Sequence, residues 1–412
     1  MPILFQINVV ANWGSTGRIA EEIGQVAIAN GWKSYIAYGR GIPQSKSQLI
    51  RIGNDWDMYW HGLQSRLFDN HGLASQKATR KLIAEIQKIK PDIIHLHNMH
   101  GYYLNYELLF QYLAEADIPV VWTLHDCWTF TGHCAHFSYA KCFQWKDGCA
   151  HCTRKRTYPA SYLLNKAARN YQAKRNAFTS IPRLTVVPVS DWLAGLVKNS
   201  FLKQASIHRI YNGINLDVFS PRTNVSDIKK RLGINQRYML IGVASIWTFS
   251  KGLADFMDLR RKLPLEDYLI ILVGLNKKQK KNLPEGIMGI ARTNSVEELA
   301  ECYSAADIFI NLTWEDTFPT TNLEALACGT PVITYRTGGS VEAVDEHTGM
   351  VVEQGDINAV SQSVRSITSN GKVYYSTACR HRAEQCFNKA DRWKEYVELY
   401  QSLIPPVGTG EE

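Results

Sequence analysis

The sequence predicts an α/β protein whose sheets are parallel and whose chain divides into more than one domain. Three observations carry that expectation. The stretch Asp307 to Tyr335, DIFINLTWEDTFPTTNLEALACGTPVITY, has short apolar runs at Ile308 to Leu312 and Val332 to Tyr335, with a loop and a helix-like segment between them. Strand, loop, helix, strand is the repeating unit of a parallel sheet. The chain also opens on an apolar run, Ile3 to Val10, followed by a glycine-bracketed turn and an amphipathic stretch with Ile19, Ile23 and Val26 on one face. Finally, 412 residues leave room for two or three domains with ample core.

Within the central stretch, Pro319 can take the first helical position, where its missing N–H costs nothing, and Gly329 stands where a left-handed cap would close the helix. Ligands in such units bind beyond the carboxyl ends of the strands. Asp316 lies in the loop and Glu324 on the helix, and helical side chains lean toward their own N-terminus, so Glu324 points back at the loop. The amides of Thr320, Thr321 and Asn322 offer an anion site at the helix start. Acceptors for sugar hydroxyls and donors for phosphate then converge. A plain helix with a capping acid is the alternative that spacing alone leaves open.

The residues EDTFPTTNLEALACGTPVI resemble the signature of the retaining GT-B glycosyltransferases of family 4 (glycosyl transferases group 1), in which two spaced glutamates precede an A-x-A-x-G-x-P-V ending. The resemblance implies that Glu324 holds the ribose of a nucleotide-sugar. It implies that Asp316, standing where relatives carry glutamate, holds the transferred sugar. Glu315 is one position out and would face differently.

Composition bounds the rest. A content of 45 % hydrophobic and 20 % charged residues is ordinary for a soluble globular protein. No apolar run approaches the roughly 20 residues that span a bilayer. The start, MPILFQINVV, lacks the basic region and cleavage site of a signal peptide, so a cytoplasmic location is expected. Nine cysteines, an odd number, argue against a disulfide framework. The net charge of +8 is unevenly placed: between Gly148 and Ser190 there are eight Lys and Arg residues and no acid. Such a segment suits a phosphate-bearing partner or an anionic membrane. A solvated face and a nucleic-acid partner are the alternatives.

In the N-terminal half, Gly14 and Gly17 bracket Ser15 and Thr16 before a helix, which lets backbone amides approach a phosphate or sugar. The turn is not G-x-G-x-x-G, so no dinucleotide fingerprint is present. It resembles the family's first loop, where Arg18 would meet a phosphate or simply be exposed. Lys33 to Tyr38 reads as a strand and Gln76 to Lys88 as a helix. Asp92 to Leu96 reads as a buried strand with His95 and His97 at its end. A His-x-His pair with no third ligand nearby is more often a cleft or core element than a metal site. The family's P-D-I-I-H-x-H segment lines the cleft, which implies an acceptor-pocket role. Val120 to Leu124 is the next strand, with His125 and Asp126 at its carboxyl end. There a histidine can hydrogen-bond a sugar hydroxyl and the neighbouring acid can fix its tautomer. Family members carry a histidine at this strand end, against the transferred sugar, and Asp126 is expected on the acceptor side.

The stretch Cys127 to Cys152, CWTFTGHCAHFSYAKCFQWKDGCAHC, is the most unusual. Cys134, Cys142, Cys149 and Cys152 in a short reduced loop would suit a closed, structural zinc site, with free buried thiols as the alternative. A similar cysteine-rich insertion occurs in a subgroup of bacterial surface-polysaccharide glycosyltransferases. Cys127 lies nearer the cleft. The following YPASYLLNKAARNYQAKRNAF mixes aromatic, aliphatic and basic residues at helical spacing, including Tyr162, Leu163, Tyr171 and Lys174. It reads either as a helix lying on an anionic membrane or as one packed on the core.

Leu184 to Val189 reads as a strand, and Ser190-Asp191 cap the helix after it. RIYNGINLDVF, with its Asn212-Gly213 turn, resembles the junction between the family's two domains, with Asn215 where an aspartate is usual. Met239 to Ala244 and Leu269 to Gly274 read as strands. Lys251-Gly252 resembles the family's K-G, whose lysine neutralises the donor diphosphate. A fixed cation there lowers the barrier as charge builds on the leaving phosphate. No arginine closely precedes this lysine, which leaves Arg336 as a possible assistant. A helix is expected after Thr337. The KKQKK run reads as a solvated face. Trp393, Tyr396, Val397, Tyr400 and Leu403 follow helical periodicity, and the short tail PPVGTGEE ends the sequence.

The fold so implied is GT-B: two Rossmann-like, doubly wound domains facing each other across a cleft. The expected organisation is an acceptor-binding domain over residues 1–217 with the cysteine-rich insertion 127–152, a nucleotide-sugar domain over 218–385, and a terminal helix, 386–412, crossing back. The expected activity is retaining transfer of a hexose-type sugar from a nucleotide-diphosphate sugar, UDP or GDP, to a hydroxyl of a glycan acceptor. That acceptor would be carried on a polyprenyl diphosphate in bacterial surface-polysaccharide synthesis. No catalytic metal is implied, no nucleic-acid partner is expected, and contact would be peripheral on the inner face of the cytoplasmic membrane. A nucleotide-sugar epimerase sharing the fold is the first alternative. A zinc-stabilised nucleic-acid-binding protein is the second, and it leaves Asp316 and Glu324 idle.

Overall fold

The computed structural model describes residues 1–405. Residues 406–412 of the expected tail lie outside the described residues. The chain divides into two compact units, residues 1–210 together with those from Trp393 onward, and Tyr211–Arg392.

The first unit holds a seven-stranded sheet: β1 (Ile3–Val10), β2 (Lys33–Arg40), β3 (Gln48–Arg51), β4 (Ile93–Leu96), β5 (Val120–Leu124), β6 (Leu184–Pro188) and β7 (Ser206–Ile207). Their order is β3-β2-β1-β4-β5-β6-β7, with every pairing parallel. The second unit holds a six-stranded sheet: β8 (Tyr238–Val243), β9 (Tyr268–Val273), β10 (Ile287–Ile290), β11 (Ile308–Asn311), β12 (Val332–Tyr335) and β13 (Gly349–Val352). Its order is β10-β9-β8-β11-β12-β13, again all parallel. The central strands β4, β5, β9 and β12 are buried along their whole length, which explains their unbroken apolar runs. Each sheet winds outward one way from its first strand and then resumes on the other side. The winding reverses between β1 and β4 and between β8 and β11. Side chains leaving those strand ends are therefore placed where doubly wound sheets bind ligands.

The core of the first unit is completed by the end of the chain. Trp393, Tyr396, Val397 and Tyr400 of the helix Lys389–Leu403 are buried with Leu4, Ile19, Ile23, Trp32 and Ile93. The division into units falls after Ile210, ahead of the Asn212-Gly213 turn and not near Asp217. Ile214 bridges to Asn388, and a Cβ on Gly213 would come within 2.4 Å of Lys389 Cα, so the turn is packed into the second unit.

Several expectations are corrected. The segment after Thr337 is a short 3-10 turn, Gly338–Ala343, and not an α-helix. The basic aromatic stretch is helical only over Ala167–Phe178, and that helix buries Asn170, Tyr171 and Lys174. Lys174 Nζ donates to the carbonyls of Trp128 (2.6 Å) and Thr131 (3.0 Å) and lies 3.4 Å from the centre of the Trp128 ring. The helix packs on the core through the very residues that its composition suggested for a lipid surface. The helix Asp55–Phe68 gave no core-facing signal in the sequence, because its large apolar residues Trp56, Tyr59 and Trp60 are exposed. Asn54 starts it with a capping box shared with Asp57.

Candidate active site

In the second unit, the loops leaving β8 and β11 carry opposite charges. After β8, Lys251 closes the one-turn segment Phe249–Lys251, and Gly252 follows at φ +74°. A Cβ at Gly252 would lie 2.1 Å from the Leu312 carbonyl oxygen, so glycine is what lets this turn rest on the end of β11. The loop after β11 is tied back to it: the Trp314 N–H (2.8 Å) and the Thr313 hydroxyl (3.2 Å) both donate to the Ser250 carbonyl. Trp314 Nε1 and the Tyr335 hydroxyl donate to Asp255 Oδ2 at 2.7 and 3.0 Å, holding the loop from its other side. The result brings Lys251 Nζ to 2.8 Å from Asp316 Oδ2, with 36 % and 20 % of the two side chains exposed. Glu315 is buried, which leaves Asp316 as the carboxylate reachable from solvent.

Pro319 caps the helix Thr320–Ala327 and does not form its first turn; Gly329, at φ +71°, follows its last residues. Thr320 and Thr321 stay partly exposed at its start. Asn322 does not join them. Its side chain is buried, donating to the Ser340 carbonyl (3.2 Å) and hydroxyl (3.0 Å) and accepting from Asn311 Nδ2 (2.7 Å). Its own N–H already donates to Pro319 (3.2 Å), so it offers no free amide to an anion. Glu324 is half-buried and accepts from the Tyr303 hydroxyl at 2.8 Å. Tyr303 is fully buried, and burial, followed by the Glu324 charge, pushes its phenol well above its usual range, so it remains a donor. Nothing in the sequence near Glu324 signals this partner, which comes from the helix Val296–Ala305. Arg336 is taken up by Glu353 at 2.5 Å on the surface.

In the first unit, the corresponding ends of β1, β4 and β5 form a histidine cluster. His95 and His97 are almost wholly buried and cannot line an acceptor pocket. They are internal supports. The geometry assigns their protons. Gln6 Nε2 donates to the Ala20 carbonyl (2.8 Å), so its Oε1 is left to accept from His97 Nε2 (3.1 Å). His97 is neutral, because burial, with His95 and His125 beside it, holds it well below 6.5. Its Nδ1 is therefore an acceptor, and it receives the Nε2 proton of His125 at 3.3 Å. His125 itself is held down to about 4 by burial, which outweighs the neighbouring Asp126. His125 is thus a neutral ring with Nδ1 as its acceptor nitrogen. His95 is fixed in the same way. Thr123 donates to the Tyr396 hydroxyl (3.0 Å) and accepts from His95 Nε2 (2.8 Å), while the Tyr400 hydroxyl donates to His95 Nδ1 (2.7 Å).

Beside His125, Asp126 Oδ2 lies 2.7 Å from His100 Nε2, and His100 Nδ1 lies 2.9 Å from the Tyr158 hydroxyl. Burial would raise the Asp126 carboxyl, but His100, next to it and hydrogen-bonded, holds it down to about 2. The sequence reading missed His100 and Tyr158, which are brought together from 58 residues apart. Gly14 is exposed at φ +64° with open space around it, while Gly17 packs against Val10 and its carbonyl accepts from the Asn12 N–H at 2.9 Å. Arg18 is exposed on the first turns of the helix Gly14–Ala29.

The four cysteines expected to bind zinc form no disulfide. A hydrogen bond between Cys134 and Cys152 drives Cys134 up and Cys152 down, and the Gly132 N–H donates to Cys149 Sγ at 3.2 Å. Buried His133 is gripped at Nδ1 by Asp69 (2.7 Å), and its Nε2 has no hydrogen-bond partner. Among the described residues, no three His, Cys, Asp or Glu side chains converge as a ready metal-ligand set.

Comparison with known proteins agrees with this arrangement of sheets. A family model for Glycosyltransferase Family 4 matches residues 18–218, and one for glycosyl transferases group 1 matches residues 238–370. The putative colanic acid biosynthesis glycosyl transferase WcaC of Escherichia coli K12 is 22 % identical over 416 aligned positions, covering 97 % of this chain and all of that protein. The Escherichia coli UDP-Gal:alpha-D-GlcNAc-diphosphoundecaprenol alpha-1,3-galactosyltransferase is 23 % identical, covering 50 % of this chain and 57 % of its own length. Among solved structures, sucrose-phosphate synthase from Thermosynechococcus elongatus superposes with a TM-score of 0.72 at 17 % identity, over 98 % of this chain and 99 % of that one. That likeness is one of fold, and the fold is GT-B. With one matching model over residues 18–218 and the other over 238–370, the chain belongs to the family 4, group 1 glycosyltransferases and is an enzyme of that class.

Proposed function

We propose that this glycosyltransferase moves a sugar from a nucleoside diphosphate sugar to a hydroxyl of a lipid-linked glycan, with retention of configuration, during synthesis of a bacterial surface polysaccharide. The observation that carries the donor half is the Lys251–Asp316 pair at 2.8 Å, at the ends of the two strands where the second sheet reverses. A diphosphate needs a fixed cation, and a sugar needs an acceptor beside it. Lys251 takes the diphosphate, with the first-turn amides of Thr320 and Thr321 adding donors. Asp316 takes a hydroxyl of the transferred sugar, and Glu324, oriented by Tyr303, takes the ribose. His125 is assigned to the transferred sugar by the family resemblance. The bond from the anomeric carbon to the diphosphate breaks, and the incoming hydroxyl attacks the same face and passes its proton to the departing phosphate oxygen. No residue of the chain is required as a nucleophile.

The acceptor class rests on similarity to the two Escherichia coli enzymes, whose names specify colanic acid and a diphosphoundecaprenol-linked sugar. Among the described residues no helix is long and apolar enough to cross a membrane. Contact with a lipid-borne acceptor at the inner face of the cytoplasmic membrane is therefore proposed as peripheral. Nucleic acid has no part in this reading. Structural zinc does: Cys134, Cys142, Cys149 and Cys152, none of them in a disulfide, are of the ligand type that would hold it, and the buried His133 Nε2 in the same loop has no hydrogen-bond partner.

A thermal-shift panel with UDP, GDP, ADP and CMP tests the donor site. A ligand at about 100 times its dissociation constant stabilises by about 2.7 kcal/mol. One nucleoside diphosphate should raise the midpoint, and Lys251→Ala and Glu324→Ala should each abolish the rise. Absence of any shift would remove the donor assignment. Release of an isomerised nucleotide-sugar without an acceptor would identify an epimerase instead.

A further inference from the structure

The helix Asp55–Phe68 carries a face that the fold leaves bare. Trp56 is 82 % exposed, Tyr59 75 %, Trp60 61 % and Leu63 39 %. At 3.6 residues per turn, these four positions fall within one arc of about 100°. Large aromatic side chains are usually well buried in a folded chain, so two tryptophans and a tyrosine on one solvent-facing stripe call for an occupant. The stripe continues beyond the helix. The Tyr162 N–H donates to the Arg66 carbonyl (2.7 Å) and the Leu164 N–H to the Leu67 carbonyl (3.3 Å), laying the segment 162–164 along the helix's last turn. Tyr162, Leu163 and Leu164 are 54, 63 and 42 % exposed.

The charge beside this stripe is mainly positive: Asp55 and Asp57 stand at the start of the helix, and the cations gather at its other end and along the segment 154–164. Arg66 flanks it on the helix itself. Lys155 Nζ reaches the Leu163 carbonyl (3.3 Å), and the Ser161 N–H donates to the Lys155 carbonyl (2.6 Å), which places the run Arg154-Lys155-Arg156 against the apolar segment. No Asp or Glu occurs from Gly148 to Ser190. An apolar aromatic stripe rimmed by cations matches an anionic bilayer, with rings at the headgroup level and basic groups on the lipid phosphates.

We infer that the helix Asp55–Phe68 with the segment 154–164 is the surface by which this enzyme sits on an anionic lipid bilayer. The inference rests on the membrane-borne acceptor proposed above. It adds where the contact is made, and it moves that contact off the helix Ala167–Phe178. The occupant is lipid and not a second copy, because Arg66 and the run Arg154-Lys155-Arg156 outnumber Asp55 and Asp57 on this face, so two copies brought together would oppose surfaces of the same net charge.

Flotation of the full chain with vesicles of phosphatidylglycerol and phosphatidylcholine, against phosphatidylcholine alone, tests this. The chain should float with the anionic vesicles at low salt and be released by high salt. The double substitution Trp56→Ser with Trp60→Ser should lower partitioning by about tenfold or more. Lys155→Gln with Arg156→Gln should weaken binding and reduce its salt dependence. All variants should keep the nucleotide-induced thermal shift, which shows that they are folded. If the wild-type chain fails to float, the membrane reading itself falls. Flotation of the wild type that the tryptophan substitutions leave unchanged would overturn the assignment of this surface alone. Self-association in solution that those substitutions abolish, without flotation, would assign the face to a second copy.

Discussion

His97 Nδ1 lies 3.3 Å from His125 Nε2, and that contact sets the proton on the histidine proposed to meet the transferred sugar. The setting begins at Gln6, whose amide orientation is decided by a main-chain carbonyl of the first helix. Gln6→Leu should remove that instruction while leaving both histidines in place. Transfer rate should fall by about tenfold or more, with the nucleotide-induced thermal shift unchanged. A rate equal to wild type would show that the ring orientation does not depend on this chain of contacts.

The same histidines make the first unit acid-sensitive. Burial holds His95 and His97 well below 6.5 and His125 at about 4. Unfolded, each ring takes up a proton below about 6.5, whereas the folded ring does not. The unfolded state then binds more protons, so stability is fully present above 6.5 and falls as pH drops toward 4. Urea midpoints of the first unit should decline across that window, and His97→Gln should flatten the slope by about one linked proton. An unchanged slope would mean that His97 is charged in the folded chain.

Tyr303 should matter to nucleotide affinity without touching the nucleotide. Tyr303→Phe removes its hydrogen bond to Glu324 and should cost about 1.5–3 kcal/mol of stability. The dissociation constant for the nucleoside diphosphate should rise several-fold, because the carboxylate is no longer oriented. Calorimetric titration showing identical affinity would assign Tyr303 to packing alone.

Gly252→Ala places a methyl group where the Leu312 carbonyl oxygen already lies and forces a side chain into a left-handed backbone. A loss of about 2–4 kcal/mol in the second unit is expected, together with loss of the nucleotide shift, since the turn also delivers Lys251. Retention of both would refute the steric account.

For the cysteine loop, metal analysis of chain purified under reducing conditions should find about one zinc per chain, as a closed structural site requires. A chelator should then lower the melting temperature, and Cys134→Ala or Cys152→Ala should abolish both the metal and the chelator effect. Zinc-free chain with the same melting temperature would leave these residues as thiols only.

The parts of the fold legible in the sequence are those that repeat a simple physical pattern. Strands such as Ile3–Val10, Val120–Leu124 and Val332–Tyr335 stand where their apolar runs predict, since a strand buried on both faces has little freedom of composition. Lys251, Asp316 and Glu324 were legible through a family signature, and the first two meet in one ion pair. What stayed hidden depends on contacts between distant segments. His95 and His97 sit at a strand end, as a binding histidine would, yet the terminal helix and Gln6 claim their nitrogens. Asn322 looks like a free helix start until Ser340 and Asn311 are seen against it. Lys174 reads as a surface charge, and only the carbonyls of Trp128 and Thr131 explain its burial.

The first unit borrows its last core residues from the far end of the chain, and this has a consequence for how the enzyme is made. On the ribosome, domains generally fold as units in the order they emerge. Here residues 1–210 leave the exit tunnel long before Trp393, Tyr396 and Tyr400, which seal the core under His95 and Thr123. The contiguous second unit can therefore finish folding first, although it is translated later. Until the final helix is released, the nascent chain carries an open apolar seam beside its prospective catalytic histidine. A message truncated shortly before Trp393 would yield a polypeptide with the second unit's proposed donor contacts intact and no sound scaffold for His125 or the acceptor.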